Sequence, residues 1–175
     1  MSRYLVLTAM GADRTGCVSE LTKLASECSC NILDSRMAIF GSEFTFIMLL
    51  NGDAQAINKI EMRIPKIAHS LDLITMMKRT SGHKTFDLVK HYQAEYSGID
   101  KPGILKSITA FFATRKIDIS SLKSAIDLQT NQMSANILFS LTEKISFDEL
   151  EHDFLALCQQ SNIQGFIKKA NASLL

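Results

Sequence analysis

Two short glycine-containing turns carry the residues of this sequence that could bind a small molecule. Residues 11–16 read G-A-D-R-T-G, and residues 98–103 read G-I-D-K-P-G, 87 positions later. In each turn the final glycine lets the backbone pass close to a ligand, and the first N–H groups of a following helix would be unpaired donors. Such a turn can hold a small anion, and a carboxylate fits it.

A carboxylate is one half of an α-amino acid, whose ammonium group also needs an oxygen acceptor. Asn31 and Asp118 correspond to each other across the same offset, and either could supply that acceptor. The alternative is that Asp13 and Asp100 simply cap the helices that follow them. The candidate ligand-binding residues are Gly11, Asp13, Arg14, Gly16, Asn31, Ile32, Gly98, Asp100, Gly103, Asp118 and Ile119.

The two turns differ in charge, which predicts that they are not equivalent. Arg14 adds a positive charge to the first turn, and Asn31 is neutral, whereas Asp118 places a negative charge near the second. The sequence therefore favours the first turn as the better anion site. Arg14 could equally be a solvated surface charge.

The residues that repeat at this offset extend beyond the turns. Thr22, Ile32, Ala38 and Ile39 reappear as Thr109, Ile119, Ala125 and Ile126. An internal duplication explains this better than coincidence does. We expect two domains, residues 1–80 and residues 85–171, with a linker near residues 79–84.

Each half predicts the order β-α-β-β-α-β. In the first half, strands are expected at residues 4–10, 31–40, 43–50 and 73–78, and a helix at 17–28. A second helix should kink or break near Ile64, because Pro65 removes one of its hydrogen bonds. In the second half, strands are expected at residues 85–96, 117–126, 133–141 and 163–169. One helix should begin close to Pro102, and another should begin at the capping box of Ser146 and Glu149. The fold class is then α+β, with two ferredoxin-like units, each a four-stranded antiparallel sheet with two helices on one face.

Composition and charge exclude several functions that this fold can host. A net charge of +1 argues against a nucleic-acid surface. The four histidines occupy unrelated positions, so no acid-base catalytic group is indicated, and no cofactor or metal is expected. The four cysteines include no zinc-type pair, which indicates buried thiols in a reduced cytosolic protein. No segment has the length of a membrane span or the pattern of a secretory signal.

The pattern of an apolar strand, D-R/K-T/P-G, a helix and then Asn/Asp-Ile resembles the ACT domain, an amino-acid-sensing regulatory module. The resemblance covers nearly the whole chain, in tandem, with no catalytic domain attached. It implies a non-enzymatic cytoplasmic regulator that acts through another protein, a LysR-type activator of glycine cleavage genes. It also implies glycine as the candidate effector and is compatible with a homodimer. The alternative is an interaction module that tethers a transcription factor without any ligand.

Overall fold

The order of strands and helices is the same in both halves of the chain. The structure is a computed structural model that describes residues 3–81, 90–141 and 145–170. The chain divides into two compact units, residues 1–84 and residues 85–175.

The first unit is one antiparallel sheet covered by two helices. Its elements, in chain order, are β1 (Arg3–Ala12), α1 (Cys17–Glu27), β2 (Asn31–Phe40), β3 (Glu43–Gly52), α2 (Ala54–Ser70) and β4 (Ile74–Thr80). The strand order across the sheet is β2-β3-β1-β4, and every pairing is antiparallel. The two central strands are therefore β3 and β1, and β2 lies at an edge.

The second unit repeats this arrangement. Its elements are β5 (Lys90–Ile99), α3 (Ile104–Thr114), β6 (Ile119–Asp127), β7 (Gln132–Leu141), α4 (Phe147–Gln160) and β8 (Gln164–Lys169). The order β6-β7-β5-β8 is the counterpart of the first sheet. The predicted fold class is confirmed. Residues 85–89, where the sequence predicted the start of a strand, lie outside the described part of the chain.

Each unit has its own hydrophobic core. The core forms where the apolar residues that alternate along the strands meet the apolar residues that recur at helical spacing on the helices. Leu5, Leu7 and Ala9 of β1 are fully buried, and they share one cluster with helix residues such as Leu21 and Ile60. The second core is richer in aromatic rings, since Phe112 contacts both Phe139 and Phe154. In each unit the helices thus cover one sheet face and leave the other face without a helix.

One prediction about a helix needs correction. The sequence predicted a kink or a break near Ile64, and helix α2 does not break there but continues through Pro65 to Ser70. A proline removes only its own N–H, and burial of Ile60, Ile64 and Ala68 holds the turns on either side against the sheet.

The predicted start of helix α3 close to Pro102 is confirmed. The helix begins at Ile104, with Gly103 at the N-cap position. The capping box of α4 is confirmed, since the Ser146 side chain accepts a hydrogen bond from the Glu149 amide. Among the described residues, no helix is long and apolar enough to cross a membrane.

Candidate functional site

The two glycine turns adopt the same backbone geometry. Gly16 and Gly103 are the N-cap residues of α1 and α3, with φ values of 98° and 96° in the left-handed region. In the described part of the chain, neither helix has a side-chain capping hydrogen bond. The capping role considered for Asp13 and Asp100 is therefore wrong, because the glycine backbone already occupies the cap.

Helix α3 begins with two amide groups that have no hydrogen-bond partner among the described residues. The Ile104 amide donates to the Lys101 carbonyl at 3.3 Å, and the Ser107 amide donates to the Gly103 carbonyl at 2.9 Å. The amides of Leu105 and Lys106 lie between them, where a helix offers no acceptor. These two N–H groups, together with the positive end of the helix dipole, favour an anion. Helix α1 repeats this pattern with its own first turn.

Each turn is fixed to the neighbouring β-hairpin. The Asp13 amide donates to the Ser42 carbonyl at 2.9 Å, and the Asp100 amide donates to the Asn131 carbonyl at 2.9 Å. Each turn therefore lies beside the tip of a hairpin, β2–β3 in the first unit and β6–β7 in the second. Any displacement of the turn acts directly on that tip.

A cavity of about 160 Å³ lies beside the second turn. Three strands and the start of α3 form its wall. The lining residues are Tyr96, Asp100, Lys101, Pro102, Gly103, Leu105, Ser124, Ala125, Ile126, Met133 and Ser134. Since one water occupies about 30 Å³ of liquid, the cavity suits a small metabolite and is below the usual size for drug-like ligands.

The cavity wall combines groups that suit an α-amino acid. The carboxylate of Asp100 can accept from an ammonium group, and the Leu105 and Lys106 amides can donate to a carboxylate. Burial raises the pKa of the Tyr96 hydroxyl, and the nearby Cys158 and Asp100 add to that rise. The hydroxyl of Tyr96 therefore stays protonated and is available as a donor.

The first turn differs from the second in the role of its basic residue. The guanidinium of Arg14 donates to the carbonyl of Leu71, the C-cap residue of α2. A cation near a helix C-terminus is a favourable arrangement. The sequence favoured the first turn as the anion site, but Arg14 has a main-chain partner there, and the cavity described above lies at the second turn.

The structure does not bring the predicted acceptors to the turns within one unit. Asn31 is aligned with Asn51 and Tyr4, eight residues before the end of β1 at Ala12, which is roughly 26 Å at 3.3 Å per residue. Ile32 follows Asn31 at that same end of the sheet. These residues and the turn lie at opposite ends of the sheet because α1 spans its length between them.

The second unit separates the corresponding residues in the same way. Ile119 is aligned with Phe139 and Tyr92, seven residues before Ile99, or roughly 23 Å from the turn. Asp118 directly precedes Ile119. The predicted grouping of these residues with the turn of their own unit does not form.

Gly11 and Gly98 have a packing role. A Cβ atom on Gly11 would lie 2.7 Å from Leu73 Cδ2 and 3.0 Å from the Asp72 carbonyl oxygen. A Cβ atom on Gly98 would lie 2.9 Å from Ile163 Cγ2. These two glycines allow the residue that leads into the last strand of each unit to pack against the first strand.

Several cavity residues were not among the sequence candidates. Tyr96, Ser124, Met133 and Ser134 come from three different strands, and their proximity depends on sheet register. Ala125 and Ile126 did carry a signal, since both belong to the residues that repeat at the 87-position offset. That signal indicated the duplication without indicating a cavity.

The other side chains that could carry chemistry do not form a second candidate site among the described residues. All four cysteines are free and buried, as predicted, and burial raises the pKa of Cys158 to about 11. Within residues 3–81, 90–141 and 145–170, no three His, Cys, Asp or Glu side chains form a metal-binding group. A larger cavity of about 370 Å³ runs along the exposed face of α4, but only residues of that helix line it.

Comparison with known proteins gives consistent matches. The family model for the ACT domain matches residues 3–78. The glycine cleavage system transcriptional repressor of Escherichia coli (strain K12) is 38% identical over 174 residues, which cover 97% of this chain and 92% of that protein. A crystal structure described as a glycine cleavage system transcriptional repressor has a TM-score of 0.79 and 35% identity, covering 98% of this chain and 99% of the other. A crystal structure of an unknown protein from Galdieria sulphuraria has the same fold, with a TM-score of 0.77 at 18% identity, covering 98% of this chain and 100% of that one.

Proposed function

The chain belongs to the ACT-domain family that includes the glycine cleavage system transcriptional repressor, and on this basis we propose that it represses glycine cleavage genes in response to a small amino acid. In this proposal residues 1–80 and 85–171 are two ACT-like domains, and neither is an enzyme. The match to a repressor over 92% of that relative's length supports the regulatory role. A repressor acts where its genes are transcribed, so the proposed location is the cytoplasm.

The cavity beside residues 100–103 is the observation that carries the ligand half of the proposal. In the proposed arrangement the ligand carboxylate binds the Leu105 and Lys106 amides, and its ammonium group binds Asp100. Tyr96 lines the same cavity, and its hydroxyl can complete the polar contacts. Glycine is the candidate effector, and the volume of about 160 Å³ also admits other small amino acids.

The expected affinity is modest. Glycine has about five heavy atoms, and at a ceiling of about −1.5 kcal/mol per atom its binding reaches roughly −7.5 kcal/mol. This corresponds to a dissociation constant of a few micromolar at best. A ligand of this affinity can shift a conformational equilibrium only where the competing states are close in free energy.

The hairpin between β6 and β7 offers a route from ligand to partner protein. Its tip is hydrogen-bonded to the turn through Asp100 and Asn131. Leu128 at that tip is 92% exposed, and an apolar side chain so placed can contact another protein. We propose that the partner is a LysR-type transcriptional activator, so that the chain regulates without touching DNA directly.

Isothermal titration calorimetry with a panel of amino acids tests the ligand half. We expect heat and a thermal shift with glycine or another small amino acid, and none with phenylalanine, which exceeds the cavity. Absence of heat with every amino acid at millimolar concentration would remove the sensing role and leave the family assignment intact.

A ligand-free interaction module is the second candidate, because the chain also exposes a broad apolar sheet face in its first unit. This candidate predicts that a charge-removing change at Asp100 leaves repression unchanged. A reporter gene driven by a glycine cleavage promoter distinguishes the two, since ligand-dependent repression would be lost in the Asp100 variant.

A further inference from the structure

The wall of the cavity beside the second turn carries two opposite charges. Among the described residues that line the cavity, Asp100 and Lys101 are the charged ones. Their side chains do not form an ion pair with each other in the described part of the chain. A free carboxylate next to a free ammonium group matches the two charges of an amino-acid zwitterion.

The other carboxylates on the strands that form the wall already have partners. Asp127 of β6 accepts hydrogen bonds from two main-chain amides of its own hairpin. Glu95 of β5 is paired with Lys168 at 2.9 Å. Neither Asp127 nor Glu95 lines the cavity, so these two carboxylates do not compete with a ligand for Lys101.

A tight turn fixes the backbone of Lys101. The Lys101 carbonyl accepts from the Ile104 amide at 3.3 Å, and Gly103 has a φ of 96° and a ψ of −8°. This is a type II β-turn with Pro102 at its second position, where the proline ring restricts both its own φ and the conformation of Lys101 before it. The backbone of Lys101 therefore has little freedom left to lose when a ligand binds.

The first unit has an arginine at the corresponding position, and that arginine is already engaged. Arg14 precedes Lys101 by 87 positions, and its guanidinium donates to the carbonyl of Leu71, the C-cap residue of α2. The C-cap residue of α4 is Ser161, and no hydrogen bond from Lys101 to it is present among the described residues. A guanidinium is a planar fork of donors, whereas an ammonium group is a compact charge on a flexible stem. The lysine thus leaves the cation of the second turn free.

We propose that Lys101 binds the carboxylate of the amino acid at the second turn while Asp100 binds its ammonium group, so that this pair selects a zwitterion. The carboxylate also accepts from the Leu105 and Lys106 amides at the start of α3. This inference rests on the proposed function and adds Lys101 as the side chain that recognises the negative charge of the ligand. A compound that lacks either charge should bind more weakly.

The exposure of Lys101 limits how much its charge contributes. Solvent and salt screen an exposed ion pair, and measured pairs of this kind change an equilibrium constant by up to about fivefold. We therefore expect loss of the Lys101 charge to weaken binding by about threefold to fivefold at low salt. The helix amides and the Asp100 carboxylate supply the remaining affinity.

Lys101→Met tests this role with two kinds of ligand. NMR titration of the whole chain measures dissociation constants for glycine, alanine and serine, and for their α-amides, which keep the ammonium group and lack the carboxylate. Lys101→Met should weaken binding of the amino acids by about threefold to fivefold and leave binding of the amides unchanged. Asp100→Asn should weaken both kinds, because both carry the ammonium group.

Lys123→Met is the matched control, because it removes the same charge from β6 on the sheet face opposite the helices. It should bind like the wild type. Raising the salt concentration from about 0.01 M to about 1 M shortens the Debye length from about 30 Å to about 3 Å. The wild type and Lys123→Met should then lose affinity for the amino acids more steeply than Lys101→Met does. Circular dichroism checks that each variant keeps the fold.

The possible results separate this role from the proposed function. If the wild type binds none of the three amino acids, the proposed function and the role of Lys101 fail together. If Lys101→Met binds them as tightly as the wild type, the role of Lys101 is wrong and the proposed function stands. Equal losses for amino acids and amides would mean that Lys101 only holds the turn, which also overturns the proposal. Where an amide binds too weakly to measure, the salt dependence decides.

Discussion

Asp100 combines a backbone role with a side-chain role in the candidate site. Its amide holds the turn to Asn131, and its carboxylate lines the cavity beside the first turn of α3. The structure assigns its carboxylate no helix-capping role, which leaves it available to a ligand. The backbone contact survives substitution, so the two roles can be separated.

Asp100→Asn should weaken amino-acid binding by at least about tenfold. The change keeps the size of the side chain and removes its charge, and a hydrogen bond to a charged group contributes about 1.5–3 kcal/mol. A loss of 1.4 kcal/mol is a factor of ten in the dissociation constant. Calorimetric titration measures this, with Asp148→Asn on the exposed face of α4 as the control that should bind normally. Equal affinities in both variants would remove Asp100 from the site.

At the scale of single elements, the helix N-termini divide into two kinds. Asp53 caps α2, since its carboxylate accepts from the Ala56 amide at 2.8 Å. Helices α1 and α3 instead begin at a left-handed glycine without a side-chain cap. The second kind leaves donors free for a ligand and gives up the stability that a cap provides.

Asp53→Ala and Asp13→Ala should therefore differ in their effect on stability. Removing the Asp53 cap should lower the free energy of unfolding by about 1 kcal/mol. Removing the exposed Asp13 side chain should change it by less than about 0.5 kcal/mol. Urea unfolding followed by circular dichroism measures both. A loss at Asp13 as large as the loss at Asp53 would restore the capping role that the structure denies to Asp13.

Local sequence signals predicted most of these elements. Strand β2 was predicted at residues 31–40, as observed, because apolar residues and turn residues mark both of its ends. The cap at Ser146 was predicted because a capping box is a local pattern. Helix α2 was predicted to kink or break near Ile64. It continues to Ser70 because it is buried against the sheet, and the local sequence pattern does not report that burial.

The candidate site was predicted only in part, because it is assembled from distant segments. The turn at residues 98–103 was found from its glycines and aspartate. The rest of the cavity wall comes from β5, β6 and β7, whose alignment depends on sheet register. Asn31 and Asp118 were grouped with the turns because they correspond to each other across the repeat and could supply an acceptor for an ammonium group. The length of α1 and α3 places them at the other end of the sheet.

At the scale of the whole molecule, pH should affect stability through buried acids. Burial raises the pKa of Cys158 in the folded chain from 9.0 to about 11, and burial also raises the pKa of Tyr96. In the unfolded chain the Cys158 thiol has its ordinary pKa of 9.0, so it ionises at a lower pH than it does in the folded chain. Its contribution is fully present below pH 9.0 and is lost as the pH rises toward about 11.

The free energy of unfolding should therefore decline between pH 9.0 and about 11, by at most about 1.4 kcal/mol per pH unit for this thiol. Cys158→Ala should be less stable at neutral pH, because it leaves a gap beside Gly165. The free energy of unfolding of the Cys158→Ala variant should decline less steeply over the same pH range. Urea unfolding at a series of pH values measures both slopes, and identical slopes would contradict the role of Cys158.

The proposed function depends on a small amino acid binding beside residues 100–103, at the start of α3. Two-dimensional ¹H–¹⁵N NMR of the whole chain, titrated with glycine and then with the amino acid that calorimetry ranks first, tests this most directly. We predict saturable shifts of the Leu105, Lys106 and Ser134 amides, with Ile119 at the far end of the sheet shifting little. Saturable shifts elsewhere that leave Leu105 and Lys106 unchanged would contradict the account, as would no shifts at all.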